Sequence, residues 1–150
     1  MGTITVKWKR LHKDAHVPTR GSREAAGYDL YACLGDEKVI FIKPGETVMI
    51  RTGIALEIPA GWFGQLHGRS GLSTKKGLRL STGVSIVDAD YRGDIFIGIH
   101  NDSGFTREIE HGDRIAQIVF QKHPEVKFIE VDELAETERG SGGFGSTGKK

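Results

Sequence analysis

Apolar and polar residues alternate along this chain in short runs, and glycine, proline or aspartate interrupts each run. Ile4, Val6 and Trp8 alternate with Thr5, Lys7 and Lys9, which predicts an opening strand. Lys13 to Ala26 carries Pro18, Gly21 and several charges and reads as a loop. Ala26–Leu34 is apolar and aromatic around Asp29, the pattern of a short buried strand. Val39–Ile42 predicts another strand, with a turn at Pro44-Gly45. Thr47–Ile58 is β-rich and ends at Pro59–Gly61, with Trp62–His67 expected as the return strand of a hairpin. Ser70 is expected to cap a short helix through Leu72 and Lys75, and Gly77 to end it. In Gly83–Asn101, Val84, Ile86 and Val87 precede a polar turn, and Ile95, Ile97 and Ile99 then alternate with Phe96, Gly98 and His100. This predicts a second hairpin. After a turn at Asp102–Gly104, further strands are expected over Phe105–Ile109, Gly112–Gln121 and Val126–Val131. Short strands, regular turns and no long helical period predict an all-β sandwich or jelly roll.

Composition narrows the function class. The 150 residues suffice for one domain with a real core. The 21 basic and 20 acidic residues nearly balance, so no strong field points to nucleic acid or a membrane. Cys33 is the single cysteine, which excludes an internal disulfide and fits a reducing compartment. With no membrane-length apolar run and no signal-like start, a soluble intracellular protein is expected. From Asp132 the composition shifts, and Arg139–Gly148 is too rich in glycine to fold alone. The expected division is therefore a β domain over 1–131 and a flexible arm over 132–150.

Several residues exceed what structure requires. The turn after Val87 packs Asp88, Asp90, Tyr91 and Arg92 together, where small polar residues would suffice. Two carboxylates, a phenol and a guanidinium can hold a flat polar ligand and activate a water, or can simply be a solvated turn. Arg69-Ser70 at a helix start offers a phosphate seat, or an ordinary cap beside a surface arginine. Asp29 in an apolar strand must be paired. It either holds an arginine such as Arg92 or Arg114, or orders a water. Gln117 interrupts another apolar strand and can reach a phosphate or a neighbouring backbone group. The tail RGSGGFGSTG joins Arg139 and Phe144 to glycines whose N–H groups can approach a polyphosphate, the makings of a lid, although disorder is the plain alternative. It is not a Walker A loop.

Five segments together resemble the trimeric dUTPase family: AGYDL (Ala26–Leu30), GRSGL (Gly68–Leu72), GVSIVDADYRG (Gly83–Gly93), GDRIAQIVF (Gly112–Phe120) and the tail. The resemblance implies a jelly-roll-like β-sandwich or barrel with one short helix, assembled as a homotrimer with shared active sites. It implies hydrolysis of dUTP to dUMP and pyrophosphate, limiting uracil in DNA and supplying dUMP for thymidylate synthesis. Mg²⁺ would be held by the triphosphate and not by protein ligands. Asp88 would be catalytic, activating the water that attacks the α-phosphorus. Tyr91 would pack under the deoxyribose, and Gly83, Val84 and Val87 would line the uracil edge. Arg69, Ser70, Gly71 and Gln117 would meet phosphates. Arg139 would hold the γ-phosphate, Phe144 would stack on uracil, and Ser141, Gly143, Gly145, Ser146 and Thr147 would add tail contacts. Asp29, Asp90 and Arg92 would support the site. The expected partners are dUTP and other copies of the chain, without nucleic acid or membrane, in the cytoplasm or, for a viral protein, the host-cell interior. A deaminase of the same fold and a non-enzymatic binding module are the competing readings.

Overall fold

The computed structural model describes residues 2–144. Eleven strands and one helix follow in order: β1 (Lys7–Arg10), β2 (Tyr28–Tyr31), β3 (Val39–Ile42), β4 (Thr47–Arg51), β5 (Ile54–Glu57), β6 (Trp62–His67), α1 (Ser70–Lys76), β7 (Leu78–Leu80), β8 (Val84–Val87), β9 (Phe96–Asn101), β10 (Arg107–Glu110) and β11 (Arg114–Lys122). All pairings of these strands are antiparallel. One sheet has the order β2-β11-β6-β8, a second β4-β9-β7, and two ribbons pair β1 with β5 and β10 with β3. The chain crosses repeatedly between sheets, giving the expected jelly-roll-like β-sandwich.

The core is almost wholly aliphatic. Leu30, Ile42, Ile50, Ile54, Ile97, Ile99, Ile109, Ile115 and Ile118 are all buried. Each contributes roughly 1.5–3 kcal/mol by leaving water. On β9 the inward set is Ile97 and Ile99 while Phe96 faces out, as the period of two requires. Asn101 is a polar exception in the interior. Its Nδ2 donates to the carbonyls of Ile42 and Phe105, both at 2.8 Å, and its Oδ1 accepts from Ser103 N–H at 2.9 Å. The buried amide is thereby satisfied and ties three segments together.

Several local expectations are corrected. The run Thr47–Ile58 is broken at Thr52-Gly53, where Gly53 adopts a φ of 71°, a left-handed conformation that glycine takes without a Cβ clash. β5 then pairs with β1, and β6 pairs with β8 and β11, so Trp62–His67 is not the return strand of a hairpin. A turn does form at Pro59–Gly61, with Trp62 N–H donating to Pro59 O at 3.2 Å, but a turn does not dictate which sheet receives the next strand. In the same way β8 and β9 do not pair. β8 lies on β6, and β9 lies between β4 and β7. The helix cap is Arg69, without a side-chain hydrogen bond, and Ser70 is the first helical residue; Gly77 does end the helix in the left-handed region. Finally, no strand forms over Val126–Val131. Phe128 is 92% exposed and Leu134 87%, and Val126, Ile129 and Val131 are exposed as well. The segment is rich in apolar and β-branched residues, but among the described residues of one chain no strand pairs with it.

Candidate functional site

The expected site residues outside the tail gather in two groups, one at each end of β8. At the first end, β2 and β11 place Asp29 opposite Gln117, and β11 places Gln117 opposite His67 of β6. Asp29 is buried, with its side chain 11% exposed. It accepts from Arg69 Nε at 2.9 Å and from Arg114 Nη1 at 3.4 Å. Arg69 Nη1 also donates to the Arg114 carbonyl at 3.3 Å. The carboxylate thus has the partner a buried charge requires. Arg114 is one of the two expected partners. Arg92 is not a partner, because its guanidinium braces its own loop, donating to Ala89 O at 2.6 Å and Tyr91 O at 3.3 Å. Gln117 Nε2 donates to Gly68 O at 3.0 Å, so its amide fixes the strand-to-helix turn. Gly27 leaves the room this needs, since a Cβ there would overlap the Gln117 side chain. Ser70 and Gly71 open α1 beside Arg69 and are exposed. Pairing of Val84 with His67 brings Gly83 and Val84 to this same end.

The second group follows Val87. Asp88, Asp90, Tyr91 and Arg92 are all exposed in the loop that crosses to β9. The Tyr91 N–H donates to Asp88 O at 3.2 Å, closing a tight turn, and Tyr91 Oη donates to Asp94 O at 2.9 Å. Because β8 and β9 belong to different sheets, an open cleft of about 260 Å³ lies between them, lined by Ser85, Val87, Asp88, Tyr91 and Phe96 among others. β8 is the outer strand of its sheet, so among the described residues one edge of its backbone has no strand partner. Such an edge presents alternating N–H and C=O groups. It can read the rim of a planar base. The missing β8–β9 pairing is therefore what opens the cleft.

The two groups do not meet within one chain. Val87 pairs with Gly64 and Val84 with His67, so the Asp88 loop and the Arg69 turn leave the sheet in opposite directions. At 3.2–3.4 Å per residue, about five or six residues separate them, roughly 15–20 Å. The described part of the tail joins neither group. Arg139 Nε donates to Gly142 O at 2.8 Å, and the Gly142 N–H returns to Arg139 O at 3.1 Å, a self-contained turn. Ser141, Gly143 and Phe144 are exposed. Gly145, Ser146 and Thr147 lie outside the described residues. Among the described residues no group of three or more His, Cys, Asp or Glu side chains is placed to hold a metal ion, and no helix is long and apolar enough to cross a membrane.

Sequence reasoning missed Arg51, Gly93 and Asp94. The Arg51 guanidinium and the Gly53 N–H, the latter at 2.9 Å, both bind the Asp94 carboxylate beneath Tyr91. The available signal was a third carboxylate, Asp94, directly after Gly93 in the turn.

Comparisons with known proteins bear on the family and the fold. A family model described as dUTPase matches residues 13–148. A deoxyuridine 5'-triphosphate nucleotidohydrolase of Syntrophotalea carbinolica is 47% identical over 150 residues, covering 99% of each chain. The Staphylococcus bacteriophage 80alpha dUTPase with dUPNHPP superposes with a TM-score of 0.87 at 31% identity, covering 97% of this chain and 99% of that one. A mutant dUTPase from phage phi11 of S. aureus, described with a structural Mg(II) ion, superposes at 0.79 with 26% identity, covering 89% of this chain and 100% of that one.

Proposed function

This chain belongs to the dUTPase family, and from that premise we propose that it hydrolyses dUTP to dUMP and pyrophosphate at sites shared between copies of itself in a homotrimer. The observation that carries the shared site is the placement of Asp88 and Arg69 at opposite ends of β8. One nucleotide cannot span both groups in a single chain while keeping its α-phosphate at the carboxylate. A second copy that sets its Arg69, Ser70, Gly71 and Gln117 against the first copy's cleft completes the site, with Asp29 holding Arg69 in place. Tails from a third copy can then reach it. Assembly would also cover the exposed apolar stretch from Val126 to Leu134.

The chemistry follows from the residues. Uracil lies along the free edge of β8, from Gly83 and Val84 to Val87, and its donor–acceptor pattern is matched by backbone groups. Cytosine leaves one of those groups unpaired, and such a mismatch discriminates by roughly 10⁴-fold. Tyr91 closes on the deoxyribose face and leaves no room for a 2′-hydroxyl. Asp88, exposed at the loop tip, accepts a proton from a water as that water attacks the α-phosphorus in line with the departing pyrophosphate. Asp90 and Arg92 keep the loop in shape. Arg69, already oriented by Asp29, spreads the developing negative charge together with Ser70, Gln117 and the Arg139 of a tail that closes on the substrate. Phe144 stacks on the base, and residues 132–150 act as the closing arm.

Mg²⁺ keeps several waters and binds phosphate oxygens readily, so the triphosphate can hold it without a cage of protein ligands. When bound to the triphosphate, the ion would neutralise charge that otherwise repels Asp88. The deciding experiment is pyrophosphate release from dUTP, dCTP, dTTP and UTP, with and without Mg²⁺. Release from dUTP alone, dependent on Mg²⁺, is expected. Ammonia release from dCTP, or binding of a dUTP analogue with no turnover of dUTP, would replace this reading.

A further inference from the structure

The loop that carries Tyr91 is anchored from outside itself. Asp94 has a side chain only 13% exposed, and its carboxylate takes two donors from the junction of β4 and β5. Arg51 Nε donates to Oδ2, and the Gly53 N–H donates to Oδ1 at 2.9 Å. The next residue is fixed from the same junction. Thr52 donates to Ile95 O through both N–H and Oγ1, at 3.0 and 2.7 Å, and Ile95 N–H donates to Ile54 O at 3.1 Å. The far side of this anchor bears on Tyr91. The Asp94 carbonyl accepts the phenol at 2.9 Å, and Gly93 forms a shelf beneath the ring. A Cβ on Gly93 would lie 2.6 Å from Tyr91 Cζ.

We propose that Arg51 and Asp94 are positioning residues for sugar selection: their ion pair fixes the height of the Tyr91 ring over the cleft and so sets how strongly a 2′-hydroxyl is excluded. This rests on the reading of Tyr91 as the ring that meets the deoxyribose. Tyr91 is 46% exposed, so packing alone does not hold it. Its position comes from one hydrogen bond and one glycine shelf, and both belong to the segment that Arg51 secures. Exclusion by contact depends steeply on distance, and a shift of about 0.5–1 Å changes it substantially. Arg51 lies 43 residues before Asp94, at the end of β4, and is not among the residues that line the cleft. Its effect therefore reaches the substrate only through the ring.

The test compares kcat/KM for dUTP and UTP in four variants. Arg51→Gln is expected to narrow the dUTP-to-UTP preference by on the order of tenfold, chiefly through a lower KM for UTP. Tyr91→Phe keeps the ring, removes its bond to Asp94 and is expected to narrow the preference similarly, without disturbing the core if Arg51→Gln fails to fold. Arg51→Lys, which keeps the charge, should restore part of the preference. The inference is overturned if Arg51→Gln and Tyr91→Phe depress both substrates together while Tyr91→Ala still narrows the preference; the reading of Tyr91 would then stand. An unchanged preference in Tyr91→Ala would remove the reading and the inference together.

Discussion

Arg69 Nε donates to Asp29 Oδ1 at 2.9 Å, so the guanidinium that the sequence offers to a phosphate is already held by a carboxylate from another strand. Asp29 is buried, whereas Arg114, its second partner, is half exposed. Removing the acid leaves two cations without their common acceptor. Asp29→Ala is expected to destabilise the fold by about 2 kcal/mol, less than for a fully buried pair because water screens Arg114. Urea denaturation of both proteins gives the difference. The KM for dUTP should rise as well, because Arg69 loses its fixed direction.

Asp88→Asn should lower kcat by roughly 10²–10⁴, the range for a lost general base, with little effect on dUTP binding. The sharper experiment mixes it with Arg69→Ala. Each variant alone would be nearly inactive. If Asp88 and Arg69 of one site come from different chains, co-assembly should restore about a quarter of the wild-type rate by random mixing within a closed ring. Activity that stays at the level of the separate variants would place both residues of each site on a single chain.

Removing residues 139–150 deletes Arg139 and Phe144 but leaves every described strand intact. Turnover is expected to fall on the order of a hundredfold through loss of positioning, with the assembly unchanged in sedimentation. Wild-type turnover in the truncated protein would show that the arm has no part in the reaction.

Phe128 is 92% exposed in a stretch whose apolar residues are uncovered among the described residues of their own chain. Phe128→Asp is expected to shift assembled protein toward monomer at low concentration, read by analytical ultracentrifugation. Its turnover should fall in parallel, because monomers would lack complete sites.

Burial raises the Cys33 thiol above its ordinary value of 9.0; the Gly35 backbone and the Arg51 charge oppose this more weakly. A thiol whose folded value exceeds its unfolded one stabilises the protein fully below the unfolded value. That contribution is lost as pH rises, because the unfolded chain releases the proton first. The melting temperature should therefore decline more steeply above the thiol's ordinary value of 9.0 in the wild type than in Cys33→Ala. Parallel declines would show that Cys33 does not contribute to the alkaline loss.

Local pattern was enough to locate most of the strands and to single out the chemically unusual groups. Val39–Ile42 matches β3 residue for residue, and the Ile95–Ile97–Ile99 alternation faces the core as read, because side-chain period and burial are local consequences of a pleated backbone. Asp29 was legible as a paired charge, since a lone buried carboxylate is too costly to keep. Strand pairing, by contrast, was settled by the folded chain as a whole. The turns at Pro59–Gly61 and Asp88–Gly93 look like hairpin tips, yet each passes the chain from one sheet to another, because burial of two inner faces outweighs the local preference for adjacent pairing. That choice opened the cleft beside β8, put Arg51 beneath Tyr91 by way of a partner 43 residues away in the chain, and sent Asp88 and Arg69 to opposite ends of one strand. None of these is local in sequence, and long-range packing alone sets such distances.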